Sequence, residues 1–316
     1  MKRKALVAGF VFVVLLLSAC MPDVVYTPIE DLKFKDAAFR ECVVSQAREN
    51  DWVDAGHVLR LHCPNPEGRK ITNLGGIRNL VNLRELDLAH NAIRDVSPLV
   101  ALKKLERLVL DDNEVSGLPQ DISRISIRHL SINHNRIRDV GSIGFLRHLE
   151  TLSLASNELS DVSALQSNAS LQVLNLSGND LSEIGMLGML VNLRELDLSA
   201  NRVSDLGGLA PLGQLEHLYL ADNRLQDIST LAQLANLREI DLANNQVRSI
   251  DSLSQLENVW RLVLDGNPID DISPLLNFGE LELISLREID NLPCDTVQQL
   301  VEEVGRSAVI TDETCQ

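Results

Sequence analysis

Two carboxylate pairs, Glu195 with Asp197 and Glu239 with Asp241, lie 22 residues on either side of His217 and Tyr219, and Arg261 and Asp265 follow after the next 22. Carboxylates flanking a histidine are the residue types of general acid–base catalysis, or of a metal-activated water. Either chemistry needs walls that exclude water and shift pKa values. The rest of the chain supplies no partner motif. There is no HExxH, no serine motif in a strand–elbow context and no glycine-rich phosphate loop opening a helix. His57, His62, His90, His134 and His148 are scattered and read as surface histidines. A divalent cation held loosely among the acidic residues is the weaker alternative, and neither a metal nor a cofactor is expected. The reading that remains is a binding surface in which Tyr219, one of 2 tyrosines, is an aromatic anchor among charges. It competes with a plain solvated face whose charges serve solubility.

The spacing that groups these residues comes from a repeat. Asparagine stands at Asn91, Asn113, Asn135, Asn157, Asn179, Asn201, Asn223, Asn245 and Asn267, every interval being 22. Around each, apolar residues sit at −8, −5, −3 and +2, as in Leu83, Leu86, Leu88 and Ile93 around Asn91. Leu86 and Leu88 alternate with Glu85, Asp87 and Ala89, a period of two that predicts a short strand with leucines inward. Strands of successive repeats then form a parallel sheet, with adjacent residues about 4.8 Å apart on an open face. The asparagine falls where the chain leaves the strand, so the column is expected to hydrogen-bond loop backbone and to be structural. Next come Ile93, Val96, Leu99 and Leu102, whose spacing by three suits 3₁₀ or extended turns on the outer side. Asp95, Asp139, Asp161, Asp205, Asp227 and Asp271, four residues after their asparagines, can cap those turns.

These phrases, most clearly Asn91–Leu99 (NAIRDVSPL) and Asn267–Leu275 (NPIDDISPL), resemble the leucine-rich repeat family, specifically its 22-residue bacterial internalin-like class. The resemblance covers residues 71–290. Departures are Ile127 and Ile132 in place of leucine, Val259 in the ninth repeat, and Ile289 where a tenth ladder asparagine is due, so residues 281–290 read as a decaying unit. The resemblance implies an α/β-type repeat solenoid with a parallel sheet on the concave face and 3₁₀ or turn segments on the convex face; the residues outside the repeats add the expectation of disulfide-stapled helical caps at both ends. It also implies protein–protein recognition through variable concave positions, but carries over no particular partner. The middle concave positions (Thr151, Ser153, Ala155, Val173, Asn175, Ser177) are small and neutral, whereas those of the sixth to ninth repeats hold the charged set above.

Stack ends expose apolar rungs and need caps. Phe34, Ala38, Phe39, Cys42 and Val43 form a helical stripe within residues 31–70, and Leu59, Leu61 and Cys63 read as an atypical first strand. In residues 291–316, Asp295 is the expected N-cap of a helix bearing Val297, Leu300, Val301 and Val304, stopped by Gly305. After Cys20, the cysteines split into Cys42 and Cys63 before the repeats and Cys294 and Cys315 after them. Pairing within each end avoids spanning roughly 40–50 Å of stacked strands. Such bonds need an oxidising compartment. Free thiols or a metal site compete, though no CxxC or CxxH spacing favours metal.

The first 19 residues read as an export signal: Lys2, Arg3 and Lys4, then an apolar run from Ala5 to Leu17. Leu17-Ser18-Ala19-Cys20 resembles the lipobox of bacterial lipoproteins, which implies acylation of Cys20, with residues 20–30 as a tether. Met21, rather than Asp, after that cysteine implies the outer membrane in two-membrane bacteria. Loss of the signal moves the net charge from −16 to −19, which excludes nucleic acid or anionic lipid as partners of the overall field. The expected product is a lipid-anchored, monomeric, non-enzymatic lipoprotein that binds a protein. The alternative is a structural envelope-associated or glycan-binding lipoprotein, for which Tyr219 alone is a poor sugar platform.

Overall fold

Each 22-residue unit places one residue, Leu86, Leu108, Leu130 and so on, at the centre of a three-residue strand and buries it completely or nearly so. The computed structural model describes residues 26–312 except 66, 67, 280 and 291. Among the described residues there are twelve strands: β1 (Arg60–His62), β2 (Glu85–Asp87), β3 (Arg107–Val109), β4 (His129–Ser131), β5 (Thr151–Ser153), β6 (Val173–Asn175), β7 (Glu195–Asp197), β8 (His217–Tyr219), β9 (Glu239–Asp241), β10 (Arg261–Val263), β11 (Leu283–Leu286) and β12 (Val309–Thr311). They form one sheet in chain order, every neighbour parallel. From β2 to β11 the register equals the repeat, so Glu195 pairs with His217 and His217 with Glu239. A solenoid of this kind turns a sequence period into columns of side chains.

The asparagine column is buried or nearly so and works as the composition predicts. Asn113 Nδ2 donates to the carbonyls of Leu88, Leu110 and Asp111 at 2.9–3.1 Å, and its Oδ1 accepts from the Ile93 amide at 2.9 Å. One side chain thus pairs backbone groups of two successive coils, which buried loops otherwise leave unsatisfied. The residue before each ladder asparagine is left-handed from His90 to Gly266. His90, Asp112, His134, Ser156, Ala200, Asp222 and Asn244 have φ between 52° and 58°, and Gly178 and Gly266 have 65°. On the convex side, 3₁₀ turns such as Ser97–Ala101 and Ser229–Gln233 recur in each unit. Six of them are entered through the expected aspartates; Asp95, for example, accepts the Ser97 amide at 2.9 Å. The unit after Asn113 has glycine where that aspartate would be. It enters its turn through Leu118-Pro119 instead, one residue later, at Gln120–Arg124.

The caps depart from the sequence reading in detail. Helix α1 is Ala37–Glu49, so Phe34 lies before it rather than on its stripe. Its ring meets Phe39 edge-on at 4.9 Å. Asp36 N-caps α1, accepting from Ala38 and Phe39, and also takes the amide and hydroxyl of Thr72 at 2.9 Å, which joins the cap to the first repeat. Cys42 and Cys63 are disulfide-bonded. Leu59 is half exposed instead of buried: with Leu61 opposite Leu86 it falls opposite Arg84, a position that is exposed or half-buried in the repeats as well. Ile29, from the segment read as tether, is buried, and its amide bonds to the Val53 carbonyl at 3.2 Å.

At the other end, β11 precedes Ile289, which is buried where an asparagine is due, so the decaying unit still stacks. Helix α2 is Cys294–Val304, with Pro293 rather than Asp295 as N-cap. Proline needs no donor there, and Asp295 in the first turn still faces the positive helix end. Gly305, at φ 94°, ends the helix, and β12 then adds a last strand that no periodicity announced. Cys294 is disulfide-bonded; Cys315 lies outside the described residues, as do residues 1–19 and Cys20.

Candidate functional site

Pleating aims the first and third residue of every strand out of the concave face, so β7 to β10 present Glu195, Asp197, His217, Tyr219, Glu239, Asp241 and Arg261 side by side. The structure sorts these residues into two kinds. His217, Tyr219 and Arg261 converge on one carboxylate, Glu239. Tyr219 donates its hydroxyl proton to Glu239 Oε2 at 3.2 Å, His217 Nδ1 lies 3.4 Å from Oε1, and Arg261 Nη1 lies 3.9 Å from Oε2. Their side chains are only partly covered: Glu239 retains 17% exposure, His217 and Arg261 30% each. Burial pushes the Tyr219 phenol up to about 12, aided by the Glu239 charge and hydrogen bond, with Glu195 adding to it and Arg261 opposing. Tyr219 is therefore a neutral, oriented donor at any physiological pH.

The remaining aspartates are tied to backbone. Asp197 accepts the Ser199 amide at 2.9 Å and Asp241 that of Ala243 at 3.0 Å, as Asp87 does with Ala89. Burial raises the Asp241 pKa, and that hydrogen bond and Arg261 offset the rise only in part. Asp265 accepts Ser285 Oγ at 3.0 Å and the Arg287 amide at 2.8 Å; Asp111 does the same with Ser131 and Asn133 one end earlier. Asp265 thus braces successive coils, whereas Asp197 closes a turn within its own coil. Sequence reasoning missed this because a carboxylate two residues before a backbone amide looks identical in sequence whether or not it bends back to it. The signal for the second type was present: serine follows 20 residues after Asp111 and Asp265.

No three histidine, cysteine, aspartate or glutamate side chains among the described residues are grouped to hold a metal ion. Chemically, the Glu239 cluster offers an aromatic face, a fixed hydroxyl and mixed charge on an open sheet, the elements of recognition. A second concave feature lies outside the repeat signature. An open cleft of about 760 Å³ between α1 and β1–β3 is lined by Trp52, Leu59, Arg60, His62, Arg84 and Arg107, among others. Arg60 pairs with Glu85 at 3.0 Å and His62 with Asp87 at 2.8 Å across its floor.

The fold is shared with known proteins. The chain is 22% identical to internalin InlF of Listeria monocytogenes, over 93% of this chain and 100% of that one, with a TM-score of 0.74. Internalin C2 of the same organism is 30% identical over 83% of this chain and 97% of its own, with a TM-score of 0.53. The plant peptide hormone receptor RGFR1, solved in complex with RGF2, is 23% identical over 72% of this chain and 40% of the receptor's, with a TM-score of 0.59. No curated protein sequence matches the chain. Family models described as Leucine Rich repeats (2 copies) match residues 81–120, 169–211 and 214–258, and one described as Leucine rich repeat matches 125–181. These segments cover more than half of the chain and hold eight of the twelve strands among the described residues, β2 to β9, so the protein belongs to the leucine-rich repeat family.

Proposed function

We propose that this protein is an extracytoplasmic lipoprotein, attached to the outer membrane through Cys20, that captures a protein partner on the concave face of β7–β10 and is not an enzyme. The observation that carries the reading is the convergence of His217, Tyr219 and Arg261 on Glu239, on a face whose other aspartates are largely committed to backbone. A tyrosine already held by a hydrogen bond loses little freedom on binding, which favours it as an anchor. The peptide receptor RGFR1, caught with its ligand, supports a binding role for a solenoid of this kind.

Crosslinking in whole cells followed by mass spectrometry identifies the partner, and affinity measurement with purified components then tests the site. Tyr219→Ala is expected to weaken binding by about 2 kcal/mol, the scale of an interface hot spot. The Glu239→Lys, Asp241→Lys double variant should abolish it. Unchanged affinity in both variants moves the interaction to another surface. Attachment is tested separately by Cys20→Ala, which should release the protein from the membrane fraction.

A further inference from the structure

The residues seven places before the ladder asparagines form a column just ahead of the strands, and it alternates in charge: Arg84, Glu106, Arg128 and Glu150, then Arg194, Glu216 and Arg238 beyond the neutral Gln172. Each glutamate in that run is paired with an arginine one coil away, as in Arg84–Glu106, Arg128–Glu150 and Arg194–Glu216. The last two members break the pattern. Trp260 follows Arg238, and Glu282 follows Trp260, its amide bonded to the Trp260 carbonyl at 2.8 Å just as that of Glu106 is bonded to Arg84. Glu282 thus stacks on a tryptophan where every earlier glutamate of the column has an arginine. It is exposed and forms no ion pair among the described residues.

A second carboxylate without a counter-charge shares its cleft. Glu303 falls in the last turn of α2, which holds no basic residue, and the carbonyl end of a helix carries partial negative charge that favours a cation there. Trp260, Glu282 and Glu303 line one open cleft of about 910 Å³. Its floor is apolar: Phe278 and Leu281 are buried, and Leu276 and Val304 are half-buried. The surrounding stretch is acidic. Residues 281–306 carry Glu282, Glu288, Asp290, Asp295, Glu302 and Glu303 against Arg287 and Arg306. Neither arginine lines the cleft, and neither pairs with these carboxylates among the described residues. The carboxylates are not grouped to hold a metal ion.

We infer that this cleft takes the lysine or arginine side chain of a basic peptide segment. The alkyl stem lies on Leu276, Phe278, Leu281 and Val304, in the way long cationic side chains cover apolar surface while keeping the head in water. The charged head meets Glu282 and Glu303, with Trp260 as the aromatic partner of a cation. A cation there supplies the charge that Glu282 and the end of α2 both lack. An inorganic ion has no use for the apolar floor, and an anionic ligand meets two uncompensated carboxylates. None of the lining residues belongs to the concave columns, so the site does not rest on the reading of that face.

The test is NMR observation of the tryptophan indole N–H signals of the full chain, which has 2 tryptophans; the Trp260 signal is the one lost in Trp260→Phe. Titration with an end-blocked peptide of alternating glycine and lysine should move it saturably and leave that of Trp52 in place. The same peptide with every lysine ε-acetylated, which keeps the stem and removes the charge, should not bind. The Glu282→Gln, Glu303→Gln double variant, altered only at exposed positions, should raise the Kd about tenfold, the scale of two partly exposed ion pairs. Equal affinity of the double variant or equal binding of the acetylated peptide overturns the inference. Spermidine binding as tightly as the peptide also overturns it, because no role then remains for a peptide segment.

Discussion

A buried carboxamide stabilises only where all its groups find partners, and this chain contains both outcomes. Asn201 donates to the carbonyls of Leu176, Leu198 and Ser199 and accepts the Leu181 amide at 3.0 Å. Asn201→Ala strands that amide in an apolar core, so denaturant unfolding should show a loss of about 3 kcal/mol. Asn168 occupies a convex position where neighbouring repeats have Leu146 and Leu190. It is wholly buried, donates to Ile143 and Leu146, and leaves Oδ1 without a partner. Asn168→Leu should stabilise by about 1 kcal/mol, since removing an unsatisfied buried acceptor outweighs two donor bonds to carbonyls that already accept backbone amides. A destabilised leucine variant would contradict this accounting. Tyr219 carries a pH signature. Its folded pKa is raised to about 12 from 10.0, so the stability it contributes is complete below the unfolded value and disappears as pH rises through the folded one. Alkaline titration of tyrosinate absorbance should show one phenol ionising near 12, a step that Tyr219→Phe removes.

Within one repeat, three local devices turn the chain: a strand of three residues, a left-handed residue before the asparagine, and an aspartate-capped 3₁₀ turn. The strand and the cap were legible, because alternation and an aspartate two residues before serine or glycine are local patterns. The left-handed residue was not. Glycine, Asp, Asn and His at that position fit it, yet Ala200 and Ser156 adopt it too, held there by neighbouring coils at a cost of roughly 1 kcal/mol each. The caps make a prediction in acid. Hydrogen bonds from the Ser97, Ser163, Ser229 and Ser273 amides and hydroxyls hold Asp95, Asp161, Asp227 and Asp271 below the ordinary carboxylate value of 3.8. A lowered folded pKa contributes stability above 3.8 that is lost as pH falls through the folded values. Replacing the four aspartates with asparagine should flatten the pH dependence of stability in that acid range, as followed by circular dichroism. Superimposable acid curves would assign the caps no such role. Helix α2 starting at Cys294 rather than after Asp295, and Leu59 turning outward, were misread because both sit where the period ends.

At the scale of the molecule each coil contacts only its neighbours, so stability spreads along the stack and the ends are its weak points. The Cys42–Cys63 bond, with a sequence separation of 21, fastens α1 over the first rung. Its loss in Cys63→Ser should cost about 3 kcal/mol. Hydrogen exchange should accelerate first in β1–β3 while β8–β10 stay protected; uniform acceleration would mean the stack unfolds as one unit. Amino-acid order alone determined the solenoid, its register and the membership of every concave column, because a strict 22-residue period leaves each residue one place in the coil. It did not determine which members of a column are free to bind. Asp197 and Asp265 are occupied by backbone amides, whereas Glu239 gathers three side chains from adjacent rungs. For Asp265 and Glu239 that choice depends on distances of about 3 Å between coils stacked face to face, which exist only once the chain has wound, while Asp197 bends back to an amide of its own coil.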